Sequence, residues 1–274
     1  MQINDINKNI TKTYRKTIWK KAIKAIDQYQ MINEGDHIGV CISGGKDSFL
    51  LALVLREILR HHKIKFKLSY IVMDPGYSKP AIEKIKENAA LFELDIHLFK
   101  SNIFKEVENE DKPCYLCARK RRGHLYNKAK ELGCNKIALG HHFDDVIETI
   151  MLNILYAGKY GSMLPKLKAT NYPGMELIRP LYFVKEGAIQ NWLKHNNFTF
   201  INCACPLADQ KCEISAESGK EVSKRKEMKE LINQLRKIYP DVDKNILKSS
   251  ENVNLDTILG YYNEETRHTF LDKY

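Results

Sequence analysis

The stretch from Ile38 to Leu55 confines this chain to a narrow set of folds. Ile38-Gly39-Val40-Cys41-Ile42 is an apolar run of strand length, Ser43-Gly44-Gly45 is a tight loop, and Ser48 to Leu55 is an apolar helix. A loop that delivers backbone N–H groups to a helix N-terminus is an anion site. The glycines allow close approach to a phosphate, and Lys46 adds a fixed positive charge. Asp47 stands where a Walker A loop needs Ser or Thr for magnesium, so this is a phosphate loop of another kind.

The pattern continues downstream. Lys67 to Met73 reads as a second strand ending at Asp74-Pro75-Gly76, residues 79–92 as a helix and Asp95 to Phe99 as a short strand. A polar loop from Glu106 leads to Pro113-Cys114 and a basic helix through about Leu132. Lys136 to Leu139 is another strand, followed by Gly140-His141-His142 and a helix from about Asp144 to Leu155. Such alternation predicts an α/β fold with a doubly wound, mostly parallel sheet. Ligands in these sheets sit at the carboxyl ends of strands, which places Ser43–Ser48, Asp74 and Gly140–Asp145 on one edge. Residues 6–32 read as a helix striped by Ile10, Tyr14, Ile18, Ala22 and Ile26. Residues 156–175, rich in Gly, Pro and Lys, read as a long loop, and Lys185–His195 and Glu221–Ile238 as helices. The expected division is a basic N-terminal helix (1–34), a nucleotide-binding α/β domain (35–200) and a cysteine-containing helical segment (201–274).

A chain of 274 residues with 43% hydrophobic and 28% charged residues can bury one good core. It has no apolar run of the ~20 residues a membrane span needs, and its start, Met1-Gln2-Ile3-Asn4-Asp5, is no signal peptide, so the expected compartment is the cytoplasm. The net charge of +10 is gathered into blocks. Lys8 to Lys24 carries seven cations with no acid until Asp27, Arg119 to Lys130 forms a second block, and Lys220 to Lys226 a third, partly offset by Glu221 and Glu227. Blocks of this kind suit a polyanion much larger than a nucleotide, which points to nucleic acid.

Seven cysteines in a chain with no signal peptide argue against a disulfide framework. Cys41 and Cys134 read as packing residues, whereas Cys114, Cys117, Cys203, Cys205 and Cys212 fall in polar, turn-rich sequence. The spacing of Cys114 and Cys117 suits one metal ion or cluster. Cys205, followed by Pro206, is the third ligand expected, with Cys203 the alternative. Three thiolates and an open position suit a [4Fe–4S] cluster, while four would suit structural zinc; the count leaves both open. The charge on phosphates held at such a loop needs neutralising, which the loop amides, Lys46 and a magnesium ion would share. Asp47 and Asp144 are the candidate carboxylates, ahead of Asp145; both Asp144 and Asp145 also suit helix capping. His141 and His142 suit either a polarising or a space-filling role.

Ser43-Gly44-Gly45-Lys46-Asp47-Ser48 resembles the loop of the PP-loop, or N-type, ATP pyrophosphatases. Gly140-His141-His142-Phe143-Asp144-Asp145 resembles the second signature of the tRNA-modifying members. With Cys114-Tyr115-Leu116-Cys117 and the Arg119-Lys120-Arg121-Arg122-Gly123 that follows, the chain resembles the tRNA 2-thiocytidine synthetase family from about residue 8 to 205. The resemblance implies ATP cleaved to AMP and pyrophosphate, and a tRNA cytidine thiolated with a [4Fe–4S] cluster. It implies ATP binding at Ser43, Gly44, Gly45, Lys46, Asp47, Ser48, Asp74 and Gly140, and catalysis by Lys46, Asp47 and Asp144 with Mg2+. Cluster ligation falls to Cys114, Cys117 and Cys205 or Cys203, and tRNA contact to Arg119, Arg121 and Arg122. The partners implied are tRNA and a sulfur donor such as a cysteine desulfurase, with no membrane; a homodimer is compatible. Other PP-loop tRNA enzymes, acting on a different thiolated base or making lysidine, share the loop. A non-catalytic RNA-binding module would explain the charge but leave Asp47 and Asp144 without purpose.

Overall fold

The computed structural model describes residues 3–61, 64–107, 113–201, 224–263 and 265–273. Helices α1 (Ile3–Lys8) and α2 (Lys20–Gln28) are joined by two wide turns, Asn9–Thr13 and Arg15–Trp19, with i→i+5 geometry. The helix expected over 6–32 is thus interrupted at Tyr14, whose φ of −96° and ψ of 22° leave the helical range. The Tyr14 hydroxyl donates to Asn191 O at 2.9 Å, while Ile10, Ile18, Ala22 and Ile26 of the same stripe are buried.

Strands and helices then alternate: β1 (His37–Ile42), α3 (Lys46–His61), β2 (Lys67–Asp74), α4 (Lys79–Leu91), β3 (Ile96–Lys100), α5 (Ile103–Val107), α6 (Pro113–Glu131), β4 (Lys136–Ala138) and α7 (Phe143–Ala157). Two short strands, β5 (Lys166–Lys168) and β6 (Glu176–Ile178), precede α8 (Glu186–His195). Among the described residues, these strands form one six-stranded sheet in the order β3-β2-β1-β4-β6-β5. All neighbours are parallel except β5, which runs antiparallel to β6. The sheet is the mostly parallel, doubly wound one that the alternation predicts. The strand order reverses between β1 and β4, and that switch point opens a crevice at their carboxyl ends. The stretch 156–175, expected to be one long loop, contains β5; three residues are too few for strand alternation to register.

Helix α6 covers one face of the sheet, where Tyr126 and Ala129 pack with Cys41, Ile71, Ile137 and Leu177. Strand residues alternate in direction, so Val40 and Ile42 point to the opposite face, against α3. Phe49 of α3, Phe92, Trp192 of α8, Phe198 and Phe200 form an aromatic cluster with centroids 5.1–6.4 Å apart. Phe49, Phe92 and Trp192 are fully buried, and each such side chain stabilises the fold by about 1.5–3 kcal/mol.

At the amino end of the sheet, Lys136 is 2% exposed, with its ammonium 2.7 Å from Asp36, 3.1 Å from Glu176 and 3.0 Å from Met31 O. A buried lysine is tolerable only when paired in this way. Burial pushes the Asp36 carboxyl up, but Lys136, the Asn33 N–H and Asn135 outweigh it and hold the group below its ordinary value.

The chain divides into two compact units, Met1–Asp145 with Leu164–Val222, and Val146–Met163 with Ser223–Tyr274. The first holds the sheet. The second contains most of α7, α9 (Lys224–Ile238), α10 (Val242–Ser249) and a hairpin of β7 (Gly260–Asn263) and β8 (Thr266–Thr269). Within it, Arg225 pairs with Glu148 at 3.0 Å and Tyr160 donates to Ser249 at 2.8 Å.

Candidate functional site

Ser43-Gly44-Gly45 turns the chain from β1 into α3 in three residues. Gly44 has φ +92°, and a Cβ there would meet Ile85 at 2.9 Å, so this position excludes side chains twice over. Ser48 locks the turn: its hydroxyl donates to Gly45 O at 2.8 Å and accepts from the Ser43 N–H at 3.1 Å. The first-turn N–H groups of a helix have no intrahelical acceptor, so the start of α3 presents donors and a partial positive charge.

Gly140 brings the end of β4 against this loop. A Cβ on Gly140 would lie 3.0 Å from Asp47 C and 3.1 Å from both Asp47 O and Ser48 N, all backbone atoms. Lys46 Nζ sits 3.2 Å from Asp47 Oδ2 and 3.7 Å from Glu186 Oε1, a cation between two carboxylates at the mouth of the loop. Asp47 Oδ1 is shielded from solvent without a hydrogen-bond partner, and His142 Nε2 stands 4.0 Å from it. His142 and Asp145 cap α7 reciprocally. The His142 N–H donates to Asp145 Oδ2 at 2.9 Å, and the Asp145 N–H donates to His142 Nδ1 at 3.4 Å. Asp144 Oδ2 accepts from the Glu186 N–H at 2.7 Å, which ties the start of α8 to the start of α7. Asp74 Oδ1 accepts from the Gly76 and Tyr77 N–H groups at 2.9 and 2.7 Å, closing the turn after β2.

Ser43 to Ser48, Gly140 and Asp144 therefore converge at the carboxyl ends of β1 and β4, with Asp74 ending the neighbouring β2. The shielded Asp47 Oδ1 is a hard oxygen donor of the type magnesium takes, and Asp144 is the second carboxylate nearby. Among the described residues no group of three or more His, Cys, Asp or Glu could hold a metal. Magnesium, which needs one or two carboxylates beside phosphates and water, fits that sparse set.

The cysteine pair departs from its expected setting. Cys114 and Cys117 lie in α6, the basic helix expected there, but Cys117 is buried with Met73, Ile103, Phe104 and Val107, where polar sequence gives no reason to expect burial. Their three-residue spacing on a helix puts both positions on one face. Cys203, Cys205 and Cys212 lie outside the described residues. Cys41 and Cys134 are buried in the core below α6. Burial, with Cys134 beside it, pushes the Cys41 thiol up to about 12; burial likewise pushes Cys134 up to about 11.

The three arginines differ in setting. Arg119 and Arg122 are exposed, whereas Arg121 donates to the Tyr77 hydroxyl at 2.9 Å and serves the turn after β2. Two site residues escaped the sequence reading. Glu186 pairs with Lys46 from a helix start 140 positions downstream, and only its place opening α8 marks it in sequence. Arg179, buried just after the unexpected β6, donates from Nε to His141 Nδ1 at 3.3 Å and from Nη1 to Leu164 O. Burial and the Arg122 charge lower its pKa to about 10.

The PP-loop domain family matches residues 14–205. The tRNA-cytidine(32) 2-sulfurtransferase of Citrifermentans bemidjiense is 35% identical over 236 residues, 84% of this chain and 88% of the relative. That of Geobacter metallireducens is 34% identical over 246 residues, 88% of this chain and 91% of its own. Among solved structures, the U34-tRNA thiolase NcsA from Methanococcus maripaludis with its [4Fe-4S] cluster is similar in fold, with a TM-score of 0.65 at 20% identity, covering 85% of this chain and 76% of that one. A phosphate-type loop at a doubly wound switch point, the match over most of the sheet unit and these near-full-length relatives lead to one conclusion: the chain belongs to the PP-loop family, among the tRNA-cytidine(32) 2-sulfurtransferases.

Proposed function

We propose that this chain uses ATP to activate a cytidine in the anticodon loop of tRNA, at position 32 as in its relatives' name, and replaces the 2-oxygen with sulfur. The observation that carries this reading is Asp47 Oδ1, a shielded carboxylate oxygen without a partner at the start of α3. Such an atom is costly to leave unmatched, and a nucleotide-bound cation would match it.

Activation joins the cytidine O2 to the α-phosphorus of ATP and breaks its bond to pyrophosphate. The first-turn N–H groups of α3 and the Lys46 ammonium neutralise the charge gathering on the leaving phosphates. Lys46 begins between Asp47 and Glu186, so phosphates arriving at the loop compete with two carboxylates for it. Asp47 and Asp144 would hold Mg2+, which supplies Lewis-acid charge neutralisation when bound. Asp144, fixed by the Glu186 N–H, cannot drift from the crevice without loosening α8. In the second step a sulfur nucleophile attacks C2 and expels AMP. A [4Fe–4S] cluster on Cys114, Cys117 and Cys205, or Cys203 in its place, would supply the iron that carries sulfide. A cytidine in a loop is poorly stacked, so bringing it to the crevice costs only a few kcal/mol. The work belongs in the cytoplasm, with tRNA and a sulfur donor such as a cysteine desulfurase as partners.

The test is nucleoside mass spectrometry of tRNA from a host lacking this modification. The wild-type gene restores 2-thiocytidine and Lys46→Ala does not. Restored lysidine, or a different thiolated base, would overturn the reading. Anaerobically purified protein should also contain iron and sulfide, and lose both in Cys117→Ala.

A further inference from the structure

We propose that the groove between α6 and the segment from β5 to Tyr172 is a track for the RNA backbone, its phosphates held by Arg119, Arg122 and Lys168; this rests on the tRNA reading above. The groove has a volume of about 770 Å³ and lies wholly within the sheet unit. Its lining carries four cations, Arg119, Lys120, Arg122 and Lys168, and no carboxylate. Lys120 is taken by Glu106 at 2.8 Å. Among the described residues the side chains of Arg119, Arg122 and Lys168 make neither an ion pair nor a hydrogen bond.

Three uncompensated cations around one concavity repel one another, and an arriving anion relieves that repulsion. The field extends further. Arg122 acts on the buried Arg179 guanidinium, and Arg179 in turn donates to His141, next to the Gly140 that lines the crevice. The groove's Arg122 is thus coupled, through the buried Arg179, to His141 beside the strand ends where activation is proposed.

The cations come from two elements, Arg119 and Arg122 from α6 and Lys168 from β5, so they suit phosphates spaced along a strand better than a single small anion. Thr170 and Asn171 add hydrogen-bonding groups suited to phosphate oxygens or a ribose 2′-hydroxyl. The floor is braced: Tyr126 and Tyr172 stack with centroids 4.9 Å apart, and the Tyr172 hydroxyl donates to Gly123 O at 3.1 Å. A Cβ on Gly123 would stand 3.3 Å from that hydroxyl, so the glycine eases the close approach. The cations are thus displayed from rigid backbone on both sides.

The test is binding of unmodified tRNA to full-length protein across a salt series. Arg119→Ala, Arg122→Ala and Lys168→Ala should each weaken affinity roughly three- to tenfold and flatten the slope of log K against log salt by about one. The triple variant should flatten it by about three. Lys86→Ala, on α4, serves as the control, and melting curves confirm that each variant is folded. An unchanged affinity and slope in the folded triple variant would overturn the groove, as would wild-type protein that binds no tRNA. So would a triple variant that keeps tRNA affinity and instead loses binding to the sulfur-donor protein. Failure of the functional reading looks different: wild-type protein then binds tRNA through the groove but restores no 2-thiocytidine.

Discussion

A single methyl group on Gly140 would stand 3.0 Å from the Asp47 carbonyl carbon, with backbone on every near side and no flexible side chain to yield. Gly140→Ala should therefore push β4 and α3 apart at the crevice and cost about 1–3 kcal/mol of stability, as overpacking does. Urea unfolding measures the stability cost and ATP titration the displacement at the crevice; an ATP affinity equal to wild type would show that the approach of these two elements is dispensable. The cysteines give a second expectation. Thiolate is the reactive form, so Cys41 and Cys134, pushed up to about 12 and about 11, should resist alkylation at neutral pH while the protein is folded. Peptide mapping after iodoacetamide treatment checks this, and rapid labelling of either would contradict their place in the core. Cys117 shows where residue type misleads. Its polar sequence neighbours give no reason to expect burial, yet the helix places it among Met73, Phe104 and Val107. Burial of a cysteine depends on partners distant in sequence, which local composition does not report.

Among the elements, those long enough to show a period were legible. The apolar run of β1, the glycine loop, α3, β2, α4, α6 and α7 follow the expected order, and the site loop lies at the strand ends; β4, only three residues long, is legible from its place between α6 and the Gly140-His141-His142 segment and not from a period. What stayed hidden were β5 and β6, three residues each, and the wide turns around Tyr14, where the apolar stripe continues while the hydrogen bonding changes. The residues attached to them were hidden too: Arg179 follows β6, and Glu186 acts from a helix start with no motif of its own. β4 also carries a test of its own. Lys136 neutralises the buried Asp36, while the half-buried Glu176 also has Lys166 at 3.3 Å, so Lys136→Met leaves one buried carboxylate without its cation and should cost about 3–5 kcal/mol. Asp36 is held below its ordinary value, so its contribution is full above the ordinary carboxylate range and is lost as pH falls through the lowered one. Lys136→Met removes the main lowering partner, so its stability should fall less steeply on acidification than that of wild type. Denaturant melts from about pH 7 down to about pH 3 would show parallel curves if the lysine carries no such linkage.

For the molecule as a whole, charge and chemistry are arranged at different distances from one another. The net charge of +10 falls in blocks, while the crevice itself sets Lys46 among Asp47, Glu186 and Asp144. A polyanion is thus attracted broadly but handled locally. Helix α6 joins the two scales, because one uninterrupted helix from Pro113 to Glu131 bears the cysteine pair at its beginning and Arg119 and Arg122 within the next two turns. A helix advances about 1.5 Å and turns about 100° per residue, so it works as a gauge with a fixed phase. Inserting one alanine between Ala118 and Arg119 barely changes the length but rotates everything that follows. Such a variant should keep its iron and its ATP binding while losing 2-thiocytidine formation; undiminished thiolation would mean that the phase is irrelevant. On the proposed roles of the cysteine pair and the arginines, substitutions would tune either chemistry separately, but a single insertion or deletion between them would alter their mutual aim, tying sulfur delivery and RNA placement to one segment of chain.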